Sequence, residues 1–159
     1  MIRLTVISVG SLKESYLSAA VAEYEKRLSA FCRIENIELK EARIRNEDDE
    51  SEIAAALEDE GTRILARIPE GAVTFALCVE GRAYDSIELS RLLGDAADQS
   101  GKLCLVIGSS HGLSERVKAA CRHRLSLSRL TFPHQLLRVI LLESVYRSFM
   151  IRAGKSYHK

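Results

Sequence analysis

The sequence predicts an α/β fold with a mostly parallel sheet and helices on both faces, and three observations support this. Short apolar runs alternate with amphipathic segments in a β-α order repeated five times. Several of these runs are apolar throughout, as expected for strands buried on both faces of a parallel sheet. The chain has 159 residues without a repeat, low-complexity tract or linker, which predicts a single domain over residues 1–159.

The predicted strands are short apolar or alternating runs that end at turn residues, and they cover 2–9, 34–39, 73–79, 103–107 and 125–130. The predicted helices carry apolar residues at spacings of three and four, and they cover 16–31, 51–68, 85–97, 114–121 and 135–153. Between the second strand and second helix, the charged run 43–50 predicts a solvated loop.

Polar residues before the helices are candidate caps. Ser11, Ser51 and Ser114 each precede or begin a predicted helix. Asp85 is followed three residues later by Glu88, which resembles a capping box with Asp in place of Ser or Thr. Gly61 is expected to interrupt or weaken the second helix, and Glu80-Gly81-Arg82 is expected to break the third strand.

Charge is distributed unevenly along the chain. The net charge is only +1, yet residues 111–159 hold ten Lys or Arg and two acids, a net +8. Residues 1–110 hold 13 basic and 20 acidic residues, a net −7. This asymmetry predicts an anionic partner, most simply nucleic acid, at the C-terminal part. The alternative is that these charges are scattered and solvated on several faces.

The four cysteines form no Cys-x-x-Cys pair, and the four histidines match no metal-site spacing, so we expect neither a disulfide framework nor a metal. Because the sequence opens directly on the first predicted strand, we expect no signal peptide. No apolar run approaches the ~20 residues that span a bilayer, so we expect no membrane partner and a cytoplasmic location.

The last helix is apolar around most of its circumference, which is unusual for the terminal helix of a small domain. A self-associating surface would bury it, and a two-fold dimer is the commonest such solution. The alternative is a central helix buried within its own monomer.

Two loops follow buried strands, at 108–112 and 131–134, and loops at the carboxyl ends of parallel strands usually form a ligand crevice. The Gly108–Gly112 loop lacks both the Walker lysine and the G-x-G-x-x-G spacing, and it is a weak motif by itself. No Ser-His-Asp arrangement or nucleophile elbow is present.

The combination of motifs is much more specific than its parts. Over its whole length the chain resembles the RlmH-type rRNA methyltransferases of the SPOUT class. The residues that carry the resemblance are Val106-Ile107-Gly108, Gly112-Leu113-Ser114, Leu125-Ser126-Leu127-Ser128, Thr131-Phe132-Pro133-His134, Arg138, Glu143, Tyr146-Arg147 and Tyr157-His158-Lys159.

The resemblance implies a small homodimer whose C-terminal part forms a deep trefoil knot. It also implies S-adenosyl-L-methionine as methyl donor, bound in a bent shape, without a metal. The implied substrate is N3 of a pseudouridine in the 23S rRNA of the assembled ribosome. Carried over by position, the implied cofactor residues are Leu77, Gly108, Leu127, Ser128, Arg129, Leu130, Thr131 and Phe132. The family usually has a second glycine at the position of Ser109, which bears on how closely the loop backbone approaches the cofactor.

The cationic and aromatic C-terminus suggests roles in catalysis. Arg147 is expected to stabilise developing negative charge, with Glu143 orienting it. His158 is the candidate for proton removal, and Tyr157 for stacking on or hydrogen bonding to the target base. Further cations are expected to contact rRNA phosphates: Arg116, Arg122, Arg124 and Arg129.

Two alternatives from other classes remain open at this point. One is a non-catalytic nucleotide-binding module on a flavodoxin-like sheet, which the β-α order allows. The other is an RNA-binding dimer without activity, for which Ser109 is the only hint.

Overall fold

Five parallel strands form the sheet, in the spatial order β2-β1-β4-β3-β5. The computed structural model describes all residues from Met1 to Lys159. The strands are β1 (Ile2–Val9), β2 (Cys32–Leu39), β3 (Val73–Ala83), β4 (Lys102–Ile107) and β5 (His123–Ser126). The predicted α/β fold with a parallel sheet is therefore confirmed, while the trefoil knot stays a prediction.

Five helices cover the two faces of this sheet: α1 (Ser15–Leu28), α2 (Glu50–Leu65), α3 (Ser86–Ser100), α4 (Glu115–Ala120) and α5 (His134–Arg152). Side chains alternate along the strands, so Leu4 and Val6 belong to one apolar core with α1, α3 and α5. Ile7 and Val9 belong to the second core, which α2 and α4 cover. Helices therefore lie on both faces, as predicted.

Two of the candidate caps are correct. Asp85 and Glu88 form a complete capping box at α3, and the Ser114 hydroxyl accepts a hydrogen bond from the backbone N–H of Val117 at α4. The prediction that Ser11 caps α1 is wrong, because α1 begins only at Ser15 and its N-cap residue, Glu14, makes no side-chain hydrogen bond.

The structure also corrects the start of α2 and the role of its glycine. The cap is Asp49 rather than Ser51, because the Asp49 carboxylate accepts from the N–H groups of Ser51 and Glu52. Gly61 does not interrupt the helix. A Cβ at Gly61 would lie 2.7 Å from the Ser114 hydroxyl, so this glycine instead allows the start of α4 to approach α2 closely.

The predicted limits of β3 and β5 are also corrected. Strand β3 continues to Ala83, with a register shift in which both Leu77 and Arg82 pair with Leu125 of β5. Residues 78–81 are thus displaced from the ladder, and Cys78 is only half-buried. Strand β5 ends at Ser126, because the Ser126 hydroxyl donates to the carbonyl of Ser128 at 2.9 Å and turns the chain out of the sheet.

Helix α5 is not enclosed by its own chain. It buries Leu141, Leu142, Val145 and Phe149 against α1 and α3. Other apolar residues of the helix are half-buried or exposed, namely Leu136, Ile140, Met150 and Ile151, while the half-buried Leu137 and Val139 pack against the same core. A membrane-crossing helix is absent, since none of the five helices combines the required length with the required apolar character.

Candidate active site

A cavity of about 640 Å³ opens at the carboxyl ends of β3, β4 and β5. Its walls are the displaced segment of β3, the loop after β4 and the loop after β5. This volume lies within the range of small-molecule sites, which is about 300–1,000 Å³. The crevice predicted from the two loops is therefore present.

Most of the predicted cofactor residues meet in this cavity. The residues that line it are Leu77, Gly108, Leu127, Ser128, Leu130, Thr131 and Phe132. Arg129 does not line it, and its side chain is exposed to solvent. The chain turns at this point, since the N–H of Leu130 donates to the Ser128 hydroxyl at 3.0 Å.

The loop after β4 closes on itself. The backbone N–H of Gly112 donates to the carbonyl of Ser109 at 2.9 Å, and Gly112 has a positive φ of 85°. A Cβ on Gly108 would overlap the carbonyl group of Gly112, so only glycine fits there. Ser109 is 6% exposed, and its hydroxyl accepts from the backbone N–H of His111 at 3.4 Å.

The cavity is also lined by an ion pair that the sequence did not predict, between the buried Lys118 and the more exposed Glu80. Lys118 is 9% exposed, and its ammonium contacts Glu80 and, at 2.7 Å, Glu115. The hydrogen bonds that the ammonium donates to these carboxylates, that to Glu115 first, raise the pKa of Lys118. The hydrogen bond from Lys118 lowers the pKa of Glu80. The i,i+3 spacing of Glu115 and Lys118 places both on one face of α4, and Glu80 joins them from the displaced segment of β3.

A buried carboxylate, that of Glu60, contacts Ser109 of the loop after β4. Glu60 of α2 is 3% exposed and accepts a hydrogen bond from the backbone N–H of Ala42 at 2.8 Å. Burial raises the pKa of Glu60, and the hydrogen bonds from Ala42 and from the neighbouring Ser109 hydroxyl oppose this shift in part. Glu60 therefore links the β2–α2 loop to Ser109.

This shift predicts a pH dependence of stability. Because the folded state raises the pKa of Glu60, it binds this proton more tightly than the unfolded state does. That stabilisation is complete below the ordinary pKa of 4.5 and is lost as pH rises through the folded pKa. Glu60→Gln should lack this component, so its free energy of unfolding should fall less than that of the natural chain between about pH 4.5 and 7. Urea titrations across this range measure the difference, with Glu50→Gln of the same helix as the exposed control; parallel curves would contradict it.

The three predicted catalytic residues lie together at the end of α5. The Arg147 guanidinium donates to Glu143 Oε1 at 2.5 Å and lies 4.7 Å from the centre of the Tyr157 ring. The Tyr157 hydroxyl donates to the same carboxylate oxygen at 3.2 Å, and its ring packs edge-on against Tyr146. Glu143 therefore orients Tyr157 as well as Arg147.

The protonation states of this group follow from its contacts. The hydrogen bond with Glu143 raises the pKa of Arg147, which stays cationic. Burial raises the pKa of Tyr157, and the Glu143 carboxylate adds to the shift, so the phenol stays neutral and donates. Arg147 Nη1 lies 3.3 Å from His158 Nδ1. Because a guanidinium only donates, Nδ1 is the acceptor there and the neutral ring carries its proton on Nε2.

The C-terminal group and the cavity are neighbours. Arg147 and Glu143 line a small cleft of about 110 Å³ together with Leu125, Ser126 and Leu127. These last three residues also line the large cavity. Tyr157 and His158 line neither space within this chain. The end of β5 thus lies between the large cavity and the Arg147–Glu143 pair.

Comparisons with known proteins show the family of this chain. A family model described as "Predicted SPOUT methyltransferase" matches residues 2–158. This chain belongs to the SPOUT methyltransferase family. A relative from Clostridium novyi named Ribosomal RNA large subunit methyltransferase H is 43% identical over 98% of this chain and 99% of its own length. Relatives of the same name and coverage from Clostridioides difficile and Bacillus pumilus are 39% and 43% identical.

Solved structures share the SPOUT fold at low sequence identity. One, described as "Structural insights into the 2-OH methylation of C/U34 on tRNA", has a TM-score of 0.52 at 17% identity, over 97% of this chain and 99% of that chain. A probable methyltransferase from Bordetella pertussis has a TM-score of 0.53 at 14% identity, over 92% and 96%. The family predicted from the motifs is confirmed, and so is its fold class.

In this SPOUT protein much of the C-terminal positive charge is neutralised within the chain. Arg116 pairs with Glu58 and Arg124 lies 3.8 Å from Glu115, while Arg122 donates to Gln99. Arg129 makes no ion pair with any acidic side chain.

No group of three or more His, Cys, Asp or Glu side chains is arranged to hold a metal ion.

Proposed function

We propose that this protein is an S-adenosyl-L-methionine-dependent methyltransferase that modifies N3 of a pseudouridine in 23S rRNA of the assembled ribosome. The observation that carries the proposal is full-length similarity to relatives named Ribosomal RNA large subunit methyltransferase H, at 43% identity over 98% of this chain. The arrangement of Arg147, Tyr157 and His158 beside a cavity at the strand ends supports it.

The cavity suits the methyl donor in both size and lining. Apolar side chains for an adenosyl group come from Leu77, Ile107, Leu125, Leu127 and Leu137. The loops after β4 and β5 provide backbone donors and acceptors at the carboxyl ends of the strands, where α/β sheets bind ligands. When bound, the donor supplies a methyl group on a sulfonium, whose leaving group is already activated by its positive charge. The cavity residues must therefore mainly orient it.

The C-terminal group would handle charge and the proton at the nucleophile. A uracil-type N3 keeps its proton at neutral pH, so its reaction requires proton removal or stabilisation of the developing anion. The Arg147 guanidinium, fixed by Glu143, is suited to the second task. Tyr157 is a neutral donor with an aromatic face on which a base can stack.

His158 is the group in this cluster that can accept the proton near neutral pH. In the present arrangement its Nδ1 already accepts from Arg147. Proton removal would therefore require His158 to leave Arg147, because Nδ1 accepts there and Nε2 is free to accept only when Nδ1 carries the proton. His158 follows the end of α5 and is exposed, so its ring has room to move.

Dimerisation belongs to the same proposal. The half-buried apolar side of α5 is left uncovered by this chain, and a second copy would cover it. Tyr157 and His158 do not line the cavity of their own chain. In a dimer, the C-terminal tail of one copy would be able to face the cavity of the other. The further parts of the proposal are one domain over residues 1–159, a knotted C-terminal part and action in the cytoplasm, where assembled ribosomes occur.

The test is methyl transfer from labelled S-adenosyl-L-methionine to ribosomes that lack this modification, with free 23S rRNA offered in parallel. We expect label in the large-subunit rRNA of assembled ribosomes only, at a pseudouridine. Sedimentation equilibrium of the same preparation should give about twice the chain mass of 17.7 kDa. Cofactor binding without label in either RNA would contradict the proposed substrate and favour the non-catalytic RNA-binding alternative.

A further inference from the structure

Three basic residues form a row across the sheet, at the end opposite the cofactor cavity. Arg3 of β1 is in register with Arg33 of β2 on one side and with Lys102 of β4 on the other. Residues in register on neighbouring strands project from the same face, with the strands about 4.8 Å apart. Arg33, Arg3 and Lys102, the basic row, therefore stand side by side.

A groove of about 480 Å³ lies over the basic row. Its other lining residues are Leu4, Thr5, Glu35 and Pro69, so three cations face one carboxylate. No member of the basic row belongs to an ion pair of this chain, Glu35 included. The Lys102 ammonium donates one hydrogen bond, to the carbonyl of Glu70 at 3.0 Å.

The positive charges of the basic row repel one another when no anion occupies the groove. Like charges directly opposite one another on neighbouring strands destabilise a sheet. The chain avoids unpaired cations at better-buried places, where Arg138 pairs with Glu38 and Lys118 with Glu80. An anion in the groove would offset the repulsion in the basic row. Guanidinium groups match phosphate especially well, because their planar fork donates two parallel hydrogen bonds.

We propose that the basic row binds phosphate groups of the substrate rRNA, as a second contact far from the methylated base. The inference rests on the proposed function. Lys102 and the end of β4 at Ile107 are separated by roughly 17 Å, from about 3.3 Å per strand residue. An RNA that reaches from the cavity to the basic row would be held along the length of the sheet, which sets its orientation without reading its sequence.

The experiment compares Arg3→Gln/Arg33→Gln with Lys26→Gln/Arg91→Gln, a matched loss of two exposed charges on helices of the other face. Binding to unmodified ribosomes is measured by co-sedimentation over a range of salt concentrations. Thermal unfolding with and without inorganic phosphate is measured on the same proteins. Because binding is read separately from methyl transfer, inactivity of the natural chain would count against the proposed function without deciding the role of the basic row.

The basic-row variant should bind ribosomes about tenfold more weakly than the control, and its salt slope should be smaller by about 1.5 for two lost contacts. Its affinity for S-adenosyl-L-methionine should be unchanged. It should unfold at the same or a higher temperature in low salt, since the repulsion is gone. Equal ribosome binding by both variants would overturn the inference. A second result would also overturn the inference: inorganic phosphate stabilises the control but not the basic-row variant, while the basic-row variant binds ribosomes normally. The groove would then bind free phosphate instead of RNA.

Discussion

Removal of Tyr157–Lys159 is expected to abolish methyl transfer and to leave cofactor binding measurable. The deletion takes away the aromatic ring that stacks on Arg147 and the His158 ring that accepts from it, while Arg147 and Glu143 remain paired. Loss of a positioned proton-transfer group typically costs 10²–10⁴-fold in rate, so turnover should fall at least about a hundredfold. Single-turnover kinetics with labelled donor and calorimetric titration of the cofactor measure the two effects.

The fold should survive this deletion, because α5 ends at Arg152 and no residue beyond it belongs to the apolar cores. Tyr157→Phe is the matched control: it keeps the ring over Arg147 and loses only the 3.2 Å hydrogen bond to Glu143. We expect this control to retain most of the activity. Full activity of the truncated chain would remove the tail from the mechanism.

Gly108→Ala should greatly weaken cofactor binding. The added methyl would overlap the carbonyl group of Gly112, and neither partner is a flexible side-chain end. The loop after β4 must therefore open, which displaces the wall of the cavity formed by Gly108 to Leu113. We expect the affinity for S-adenosyl-L-methionine to fall more than tenfold and the free energy of unfolding to fall by about 1–3 kcal/mol. Calorimetric titration and denaturant unfolding test the two parts.

Gly71→Ala provides the control for this substitution. Nothing lies within 4 Å of a Cβ at Gly71, although its φ of +76° makes alanine mildly strained. It should lose about 1 kcal/mol of stability and keep its cofactor affinity. If Gly108→Ala behaves no differently from Gly71→Ala, the Gly108–Gly112 contact is not what shapes the cavity.

Local sequence patterns were sufficient for most of the fold. Apolar alternation located β1 without error, and helical spacing located all five helices to within a few residues. The caps show the limit of such reasoning. Ser114 and Asp85 act locally and were correct, whereas just before α1 the N–H of Lys13 donates to Gln135 of α5, 122 residues away. No local pattern contains that information.

The candidate site divides in the same way. Gly108 follows a predicted strand, and the stretch Leu127–Phe132 spans the end of another, so their position at the sheet edge could be predicted, with Arg129 as the exception. Glu80 and Lys118 could not be predicted. Their meeting depends on the register shift between β3 and β5 and on the seating of α4, both of which are long-range.

By itself the sequence determined the β-α order, the two cavity loops, the cationic and aromatic C-terminus and, through its motifs, the family. Each of these depends on residues that are close together in the chain, where periodicity and turn chemistry act. The tertiary structure alone decided which charges are neutralised and which stand free. Arg116 and Lys118 of the basic C-terminal part found acidic partners, while Arg3, Arg33 and Lys102 were brought into one row by strand pairing. Ion pairing and strand register join residues that are distant in sequence, so only the folded chain can set them.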